Sequence, residues 1–325
     1  MFSVAQAREA GVGASRLLQP DLRRPFHGVR MRAAPPSDTG PRDALFDESP
    51  VAAEARILRA EIQLLARALS TVWGDGWFLS HTTAAVLWEL PLPIRLLRRC
   101  VENLDVAVRG ARRAPRGRGI RGHQLAPELV NVRGRDGLAM ASPASVWAQL
   151  APDLSIGELI ELGDAIVYIP RRRGMERGDE GDALGTIDQL TAAMDAGRRT
   201  GAARLRAALP HICVGAASPG ETRIRLGVLA AGLPRPELDY DVVARDGSGI
   251  GFTELAHPKF RLLHEYEGDQ HRLDRRQWNR DIEKHAACVA EGWDVTRLTA
   301  AHAYPTTAPA VAKIRGALVR AGWRP

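Results

Sequence analysis

Residues 249–268 read Gly249-Ile-Gly-Phe-Thr-Glu254-Leu-Ala-His257-Pro-Lys-Phe-Arg-Leu-Leu-His-Glu265-Tyr-Glu267-Gly268, and this stretch decides the fold of the last third of the chain. Two apolar-rich runs, Gly249–Leu255 and Phe260–Gly268, flank the turn His257-Pro258-Lys259, which predicts two strands joined as a hairpin. Upstream, Leu238–Arg245 predicts a third strand, and Ser218-Pro219-Gly220-Glu221 opens a helix that stops at Gly232. Downstream, Asp274 caps a helix running to Glu291 that Gly292 closes. Trp293–Thr299 then predicts a fourth strand and Ala308–Ala321 a last helix. The order is αβββαβα, an α/β arrangement within a chain that is α+β overall.

Side chains at i and i+2 of a strand share a face, so Glu265 and Glu267 project together, and the hairpin brings Glu254 to the same end. Carboxylates gathered on one face repel one another and call for a cation, and hard oxygen ligands suit Mg²⁺ or Mn²⁺. Such an ion activates water and neutralises a phosphodiester transition state. Glu221 on the preceding helix is a fourth candidate acid, while Gln270 and His271 are candidates for proton transfer and for positioning water or phosphate. Each has a plainer alternative. Glu221 stands three residues after Ser218, the spacing of a capping box, and a glutamate pair at i, i+2 also describes a solvated strand face. His264, Glu265 and His271 do not form HExxH, and the histidines at 257, 264, 271 and 285 make no zinc pattern.

The chain has 325 residues, 45% of them hydrophobic and 26% charged, which is ordinary globular composition and long enough for more than one domain. No run approaches the roughly 18 apolar residues of a membrane helix, and the start of the chain lacks a signal-peptide pattern. Cys100, Cys213 and Cys288 are far apart, which argues against a disulfide framework and fits a cytoplasmic protein with no membrane partner. The net charge of +7 is uneven: residues 1–135 carry 21 basic and 13 acidic side chains, whereas 136–215 carry 8 and 11. A basic first part implies a polyanionic partner, most simply DNA.

Residues 1–32 predict two short helices, one capped by Ser3 and one over Ser15–Leu18, followed by a basic strand-like element over Arg24–Met31. That is a candidate winged helix-turn-helix, with Arg23, Arg24 and Arg30 on hand for nucleic acid, or else a helical arm packed on the rest. Residues 33–50, with four prolines, predict a linker. Residues 51–170 predict a helical and β middle domain, with a helix over 52–72, a strand around Leu104, Val106 and Val108, and a helix over 142–169. Nine arginines fall between Arg95 and Arg121 against two acids, and Arg112, Arg113, Arg116 and Arg118 crowd a Gly/Pro-rich loop suited to phosphate contact or simply to solvent. Residues 171–215 predict a boundary with a helix, and 216–325 the αβββαβα domain.

The blocks Ser218-Pro-Gly-Glu221-Thr-Arg, Gly232-Leu-Pro-Arg-Pro, Glu254-Leu-Ala-His-Pro, Glu265-Tyr-Glu-Gly-Asp-Gln-His271, Arg280-Asp281 and Gly292-Trp-Asp-Val-Thr-Arg297 together resemble the very-short-patch-repair-like endonucleases, and more closely an actinobacterial group of that superfamily. The resemblance implies the restriction-endonuclease-like PD-(D/E)xK core. In it Glu221 matches the helix glutamate, Glu254 stands where an aspartate is usual, and Glu265 matches the acid of the E-x-(D/K) element. Glu267 stands where that group tends to have aspartate and other nucleases lysine, which leaves water activation to His271 or the metal. Arg280 is a candidate partner for a phosphate or for a neighbouring acid. The run Arg23-Arg-Pro-Phe-His-Gly-Val29 and the run Ser80-His-Thr-Thr-Ala-Ala ending in Leu90-Pro-Leu-Pro are similar to AbiEi-type antitoxins of type IV toxin–antitoxin systems, which implies a DNA-binding winged helix and a possible toxin partner.

Taken together, the sequence predicts a DNA-binding protein with a Mg²⁺-dependent endonuclease-like domain. The alternative is a non-catalytic transcriptional regulator or antitoxin built on a degenerate nuclease fold. An RNA-directed nuclease or binder is a third reading, weakened by the few aromatic residues available for base stacking.

Overall fold

The computed structural model describes residues 1–32, 49–172, 176–267 and 275–324, leaving aside the side chains of 275–281. Most of the linker expected over 33–50 lies outside these residues; Ser49 and Pro50 already cap and open a helix. The chain is mixed α/β and divides into two compact units, one built on residues 1–32, 49–159 and 188–207 and the other on 160–187 and 208–324.

The first unit begins with β1 (Phe2–Ser3), α1 (Val4–Glu9), β2 (Leu22–Arg23) and β3 (Val29–Arg32). Ser3 caps α1 in a reciprocal pair with Gln6, at 3.0 Å for the Gln6 amide and 2.9 Å for its own. The three strands form one antiparallel sheet in the order β1-β3-β2. The second helix expected over Ser15–Leu18 is instead a single 3₁₀ turn, Arg16–Leu18. Too few residues lie between Gly13 and Pro20 for an α-helix to close more than its first costly turn.

Next come α2 (Pro50–Leu69), β4 (Phe78–Leu79), α3 (His81–Leu87), α4 (Ile94–Glu102), β5 (Leu104–Arg109), β6 (Ile120–Leu125), β7 (Val132–Arg135), β8 (Leu138–Ala141) and α5 (Pro143–Gln149). The strands make a mixed sheet in the order β6-β5-β4-β8-β7. Only one face of β5 was legible as apolar, yet Asp105 and Ala107 are buried as completely as Leu104, Val106 and Val108. Asp105 is partnered by His123 Nε2 at 2.9 Å and by Arg121 at 3.5 Å, and the His123 ring stacks on His81 at 3.9 Å.

The helix expected over 142–169 is two helices, α5 and α6 (Ile156–Val167). Pro152 cannot donate to the ladder and biases Ala151 away from the helical region, so α5 stops. Ser155 restarts the chain: its hydroxyl accepts from the Glu158 amide at 3.3 Å and the Glu158 carboxylate accepts from the Ser155 amide at 2.9 Å. Two short helices, α7 (Ile187–Asp195) and α8 (Ala202–Ala208), complete the first unit.

The second unit contains α9 (Pro219–Ala230), β9 (Glu237–Val243), β10 (Gly249–His257), β11 (Leu262–Glu267), α10 (Arg275–Ala290), β12 (Asp294–Thr299), α11 (Ala300–Ala303) and α12 (Ala308–Arg320). The sheet order is β12-β11-β10-β9; the first three strands in sequence form an antiparallel meander, and β12 lies parallel to β11. Strand alternation sorts the two faces. Leu255, Leu262 and Leu298 pack with Ile224 and Val228 of α9 and Ile314 and Leu318 of α12. Val242, Ala256 and Leu263 pack with Cys288 of α10 and Trp293 on the other face. Each such leucine contributes about 1.5–3 kcal/mol of burial. Asp164 of α6 accepts from Arg225 and Thr222 of α9 at 2.7 and 2.8 Å, fastening those helices by a buried ion pair. Among the described residues no helix is long and apolar enough to cross a membrane.

Candidate active site

The last ladder pair of the β10–β11 hairpin towards its open end is Leu255 with His264, so the next residues outward, Glu254 and Glu265, face one another across the strands. Both lie on the sheet face that carries Ala256 and Leu263, the face covered by α10. The two glutamates are therefore brought together, as the sequence predicts. A third group, which no sequence motif announces, joins them. Lys284 of α10 places Nζ 2.6 Å from Glu265 Oε1 and donates to the Phe252 carbonyl at 2.8 Å. Its stem crosses β10 at Gly251, where a Cβ would come within 2.9 Å of Lys284 Cδ, so a glycine is what allows the lysine to lie across the strand.

Glu254 Oε2 is buried and has no hydrogen-bond partner among the described residues. Burial pushes the Glu254 carboxyl up to about 8; the charges of Glu221 and Glu265 add to the rise and Lys284 opposes it. Burial alone would lower the Lys284 ammonium, but the charge and hydrogen bond of Glu265, with the charge of Glu254, hold it above its ordinary range. An acid that keeps its proton beside a base that keeps its charge marks a site with unusual electrostatics.

Glu221 is buried in the first turn of α9, whose N-cap is Ser218. Its carboxylate accepts from the Ala217 amide at 2.8 Å and from the Ser218 hydroxyl at 2.7 Å, and the Ser218 hydroxyl accepts from the Glu221 amide at 3.3 Å. Burial raises its carboxyl against these two bonds. Only half of a capping box forms: the Ser218 hydroxyl caps the Glu221 amide, while the Glu221 carboxylate takes the Ala217 amide instead of that of Ser218, and its charge still acts on Glu254. Tyr266 packs at the same turn: a Cβ on Gly220 would fall 2.2 Å from Tyr266 Cζ. Glu267 is only partly buried and lies 3.5 Å from Arg297 of β12. Gln270 and His271, and the side chains of Arg280 and Asp281, lie outside the described residues. Among the described residues no group of three or more His, Cys, Asp or Glu side chains is arranged to hold a metal.

The candidate nucleic-acid residues belong to the first unit and divide into engaged and free. Arg23 pairs with Glu61, Arg24 donates to the Leu18 carbonyl at 2.8 Å, Arg30 donates to the carbonyls of Leu17 and Val29 at 2.8 Å each, and Arg112 pairs with Asp75 at 2.6 Å. Arg113, Arg116 and Arg118 are exposed and carry no ion pair among the described residues. Lys284 is one of only three lysines among the chain's 45 basic residues, and in the structure it stands four positions before the buried Cys288, on one helix face. Comparison with family models, with curated proteins and with solved structures gives no match for this chain.

Proposed function

We propose that the second unit is a restriction-endonuclease-like domain that hydrolyses phosphodiester bonds of DNA with Mg²⁺ or Mn²⁺, and that the first unit supplies nucleic-acid contacts. The αβββαβ succession from α9 to β12, an antiparallel meander with a parallel fourth strand, supports the fold in this reading. The observation that carries the chemistry is Lys284 Nζ at 2.6 Å from Glu265, beside the unpartnered buried oxygen of Glu254. Two carboxylates on adjacent strands fit an ion held through one or two protein oxygens, with water and substrate phosphate completing the shell. When bound, the ion supplies charge neutralisation at the phosphate and lowers the pKa of water.

The chain's own groups have distinct parts. Glu265, with one oxygen against Lys284, would offer the rest of its carboxylate to a cation. Glu254 would be the second oxygen donor, since a cation beside Oε2 would offset the burial that raises its carboxyl. Lys284 stays an ammonium, so it suits stabilisation of the phosphate or leaving oxygen rather than proton abstraction. His271 and Gln270 keep the proton-transfer and positioning roles expected from their chemistry, and Glu267 serves in an outer position beside Arg297. In the first unit, the three-stranded sheet with α1 supports a winged-helix reading, and Arg113, Arg116 and Arg118 are the free phosphate-contacting candidates.

A second reading is favoured by one observation: the Glu265–Lys284 ion pair satisfies its own charges, as in a nuclease fold kept as a scaffold by a regulator or antitoxin. One assay separates the two. Purified protein is incubated with plasmid, single-stranded DNA and RNA in Mg²⁺, Mn²⁺ or EDTA, beside Glu265→Gln. Metal-dependent cutting of DNA that is lost in the variant is the expected result. Binding without cutting on any substrate would transfer the assignment to the regulator.

A further inference from the structure

The acids on and beside the β10–β11 hairpin are mostly spent on partners of their own. Glu221 commits both carboxylate oxygens at the start of α9, to the Ala217 amide at 2.8 Å and to the Ser218 hydroxyl at 2.7 Å. Asp239 and Asp241 of β9 both hold Arg171, at 2.5 and 2.6 Å, and the Arg171 guanidinium lies 4.3 Å from the Phe252 ring. Glu267 stands against Arg297 at 3.5 Å. That leaves Glu254, whose Oε2 has no partner among the described residues, and Glu265, which meets Lys284 through Oε1.

The two oxygens nearest Lys284 Nζ are of the kind a divalent ion takes as ligands: a carboxylate oxygen of Glu265 at 2.6 Å and the Phe252 carbonyl oxygen at 2.8 Å. The ions of a two-metal site sit about 3.5–4 Å apart, so a second ion bridged by Glu265 would compete with Nζ for these atoms. The position of the lysine is built into the fold. Its stem crosses β10 at Gly251, where a Cβ would press on it, and its ammonium lies 5.8 Å from the Phe252 ring. Charge points the same way. One divalent ion and the ammonium together balance two carboxylates and a phosphodiester, whereas two divalent ions beside the lysine would leave two positive charges in excess. Uncompensated charge in a half-buried site is costly.

We infer that Lys284 stands in the place of a second divalent cation, so that the site takes one ion per chain, held by Glu254 and the remaining oxygen of Glu265. This deepens the hydrolytic reading of the second unit and rests on it. Two of the three ammonium hydrogens have partners, which leaves one for a phosphate oxygen. Unlike an ion, the lysine delivers no bound water. Water activation therefore falls to the single ion or to a side chain, and Lys284 contributes charge alone.

The test is Mn²⁺ binding to the full chain without nucleic acid, with stoichiometry and spectrum followed by electron paramagnetic resonance, for wild type, Lys284→Met and Lys259→Met. Methionine keeps most of the stem and removes the charge; Lys259 is exposed and controls for the loss of one positive charge elsewhere. The expected result is one bound Mn²⁺ in wild type and in Lys259→Met. Lys284→Met should bind two and show the spin-coupled spectrum of ions only a few ångströms apart, which a second ion at an unrelated surface site would not give. Two ions in wild type, one ion in Lys284→Met, or a second ion without spin coupling would overturn the inference and leave the hydrolytic reading standing. A Lys284→Met variant that does not fold leaves the wild-type stoichiometry to decide. No bound Mn²⁺ in wild type would overturn the inference and the hydrolytic reading together.

Discussion

At the residue scale, burial and partner identity set the behaviour of individual side chains, and His81 shows how. It opens α3 at φ +44°, donates its amide to Gln149 at 2.9 Å and stacks on His123. Burial pulls its imidazole down to about 4, with His123 adding to the fall and Asp105 opposing it. In the unfolded chain the same group titrates near 6.5. The folded protein therefore binds fewer protons than the unfolded one between these values, and stability falls as pH drops from about 6.5 toward 4. The loss reaches on the order of 3 kcal/mol, from about 1.4 kcal/mol for each pH unit. His81→Asn tolerates the left-handed backbone and cannot titrate, so urea denaturation of the variant should show a flatter pH dependence across that window. An unchanged slope would mean that other groups set the acid limit. Glu254 and Lys284 illustrate the limit of sequence at this scale. The two strand glutamates were legible from alternation and from a hairpin turn, because both are local rules. The lysine was not, because its arrival at Glu265 depends on how α10 lies over β10, which only the packing of Cys288 and Trp293 fixes.

At the element scale, the second unit's helices and strands followed from caps, glycine stops and apolar alternation, and their bounds differ from the expectation by only a few residues. Ser218 and Gly232 bracket α9, and Gly292 closes α10, as the local chemistry requires. The first unit was harder. A break at Pro152 was hidden inside a continuous apolar pattern, and β5 carries a buried aspartate that periodicity assigns to solvent. Such polar burial is decided by distant partners, here Arg121 and His123 on β6. The same logic governs the junction of α6 with α9. Replacing Arg225 with Met leaves Asp164, 1% exposed, without its cation, and the burial that already raises its carboxyl then goes unopposed by that charge. The expected cost is about 3–5 kcal/mol, read from the urea unfolding of the second unit. Adding Asp164→Leu should recover only part of it, because the buried Thr222 hydroxyl and the Cys213 amide then lose their acceptor. A single variant within about 1 kcal/mol of wild type would show that water already reaches the pair.

At the scale of the whole molecule, charge is distributed unevenly along the chain, and Arg113, Arg116 and Arg118 of the loop before β6 are exposed with no ion pair among the described residues. Changing Arg113, Arg116 and Arg118 to Ala should reduce the slope of log affinity for duplex DNA against log salt by up to about 3, close to one for each phosphate no longer neutralised. An unaltered slope would place the DNA-binding surface elsewhere. The central claim concerns the other unit, where Glu254 and Glu265 are held to share a divalent cation beside Lys284. Titration of Mn²⁺ followed by electron paramagnetic resonance, on wild type and on the Glu254→Gln, Glu265→Gln double variant, addresses it without relying on any choice of nucleic acid. The account predicts a saturable Mn²⁺ site in wild type that is competed by Mg²⁺ and absent from the double variant. Equal Mn²⁺ binding by the two proteins, or none by wild type up to millimolar concentration, would contradict it.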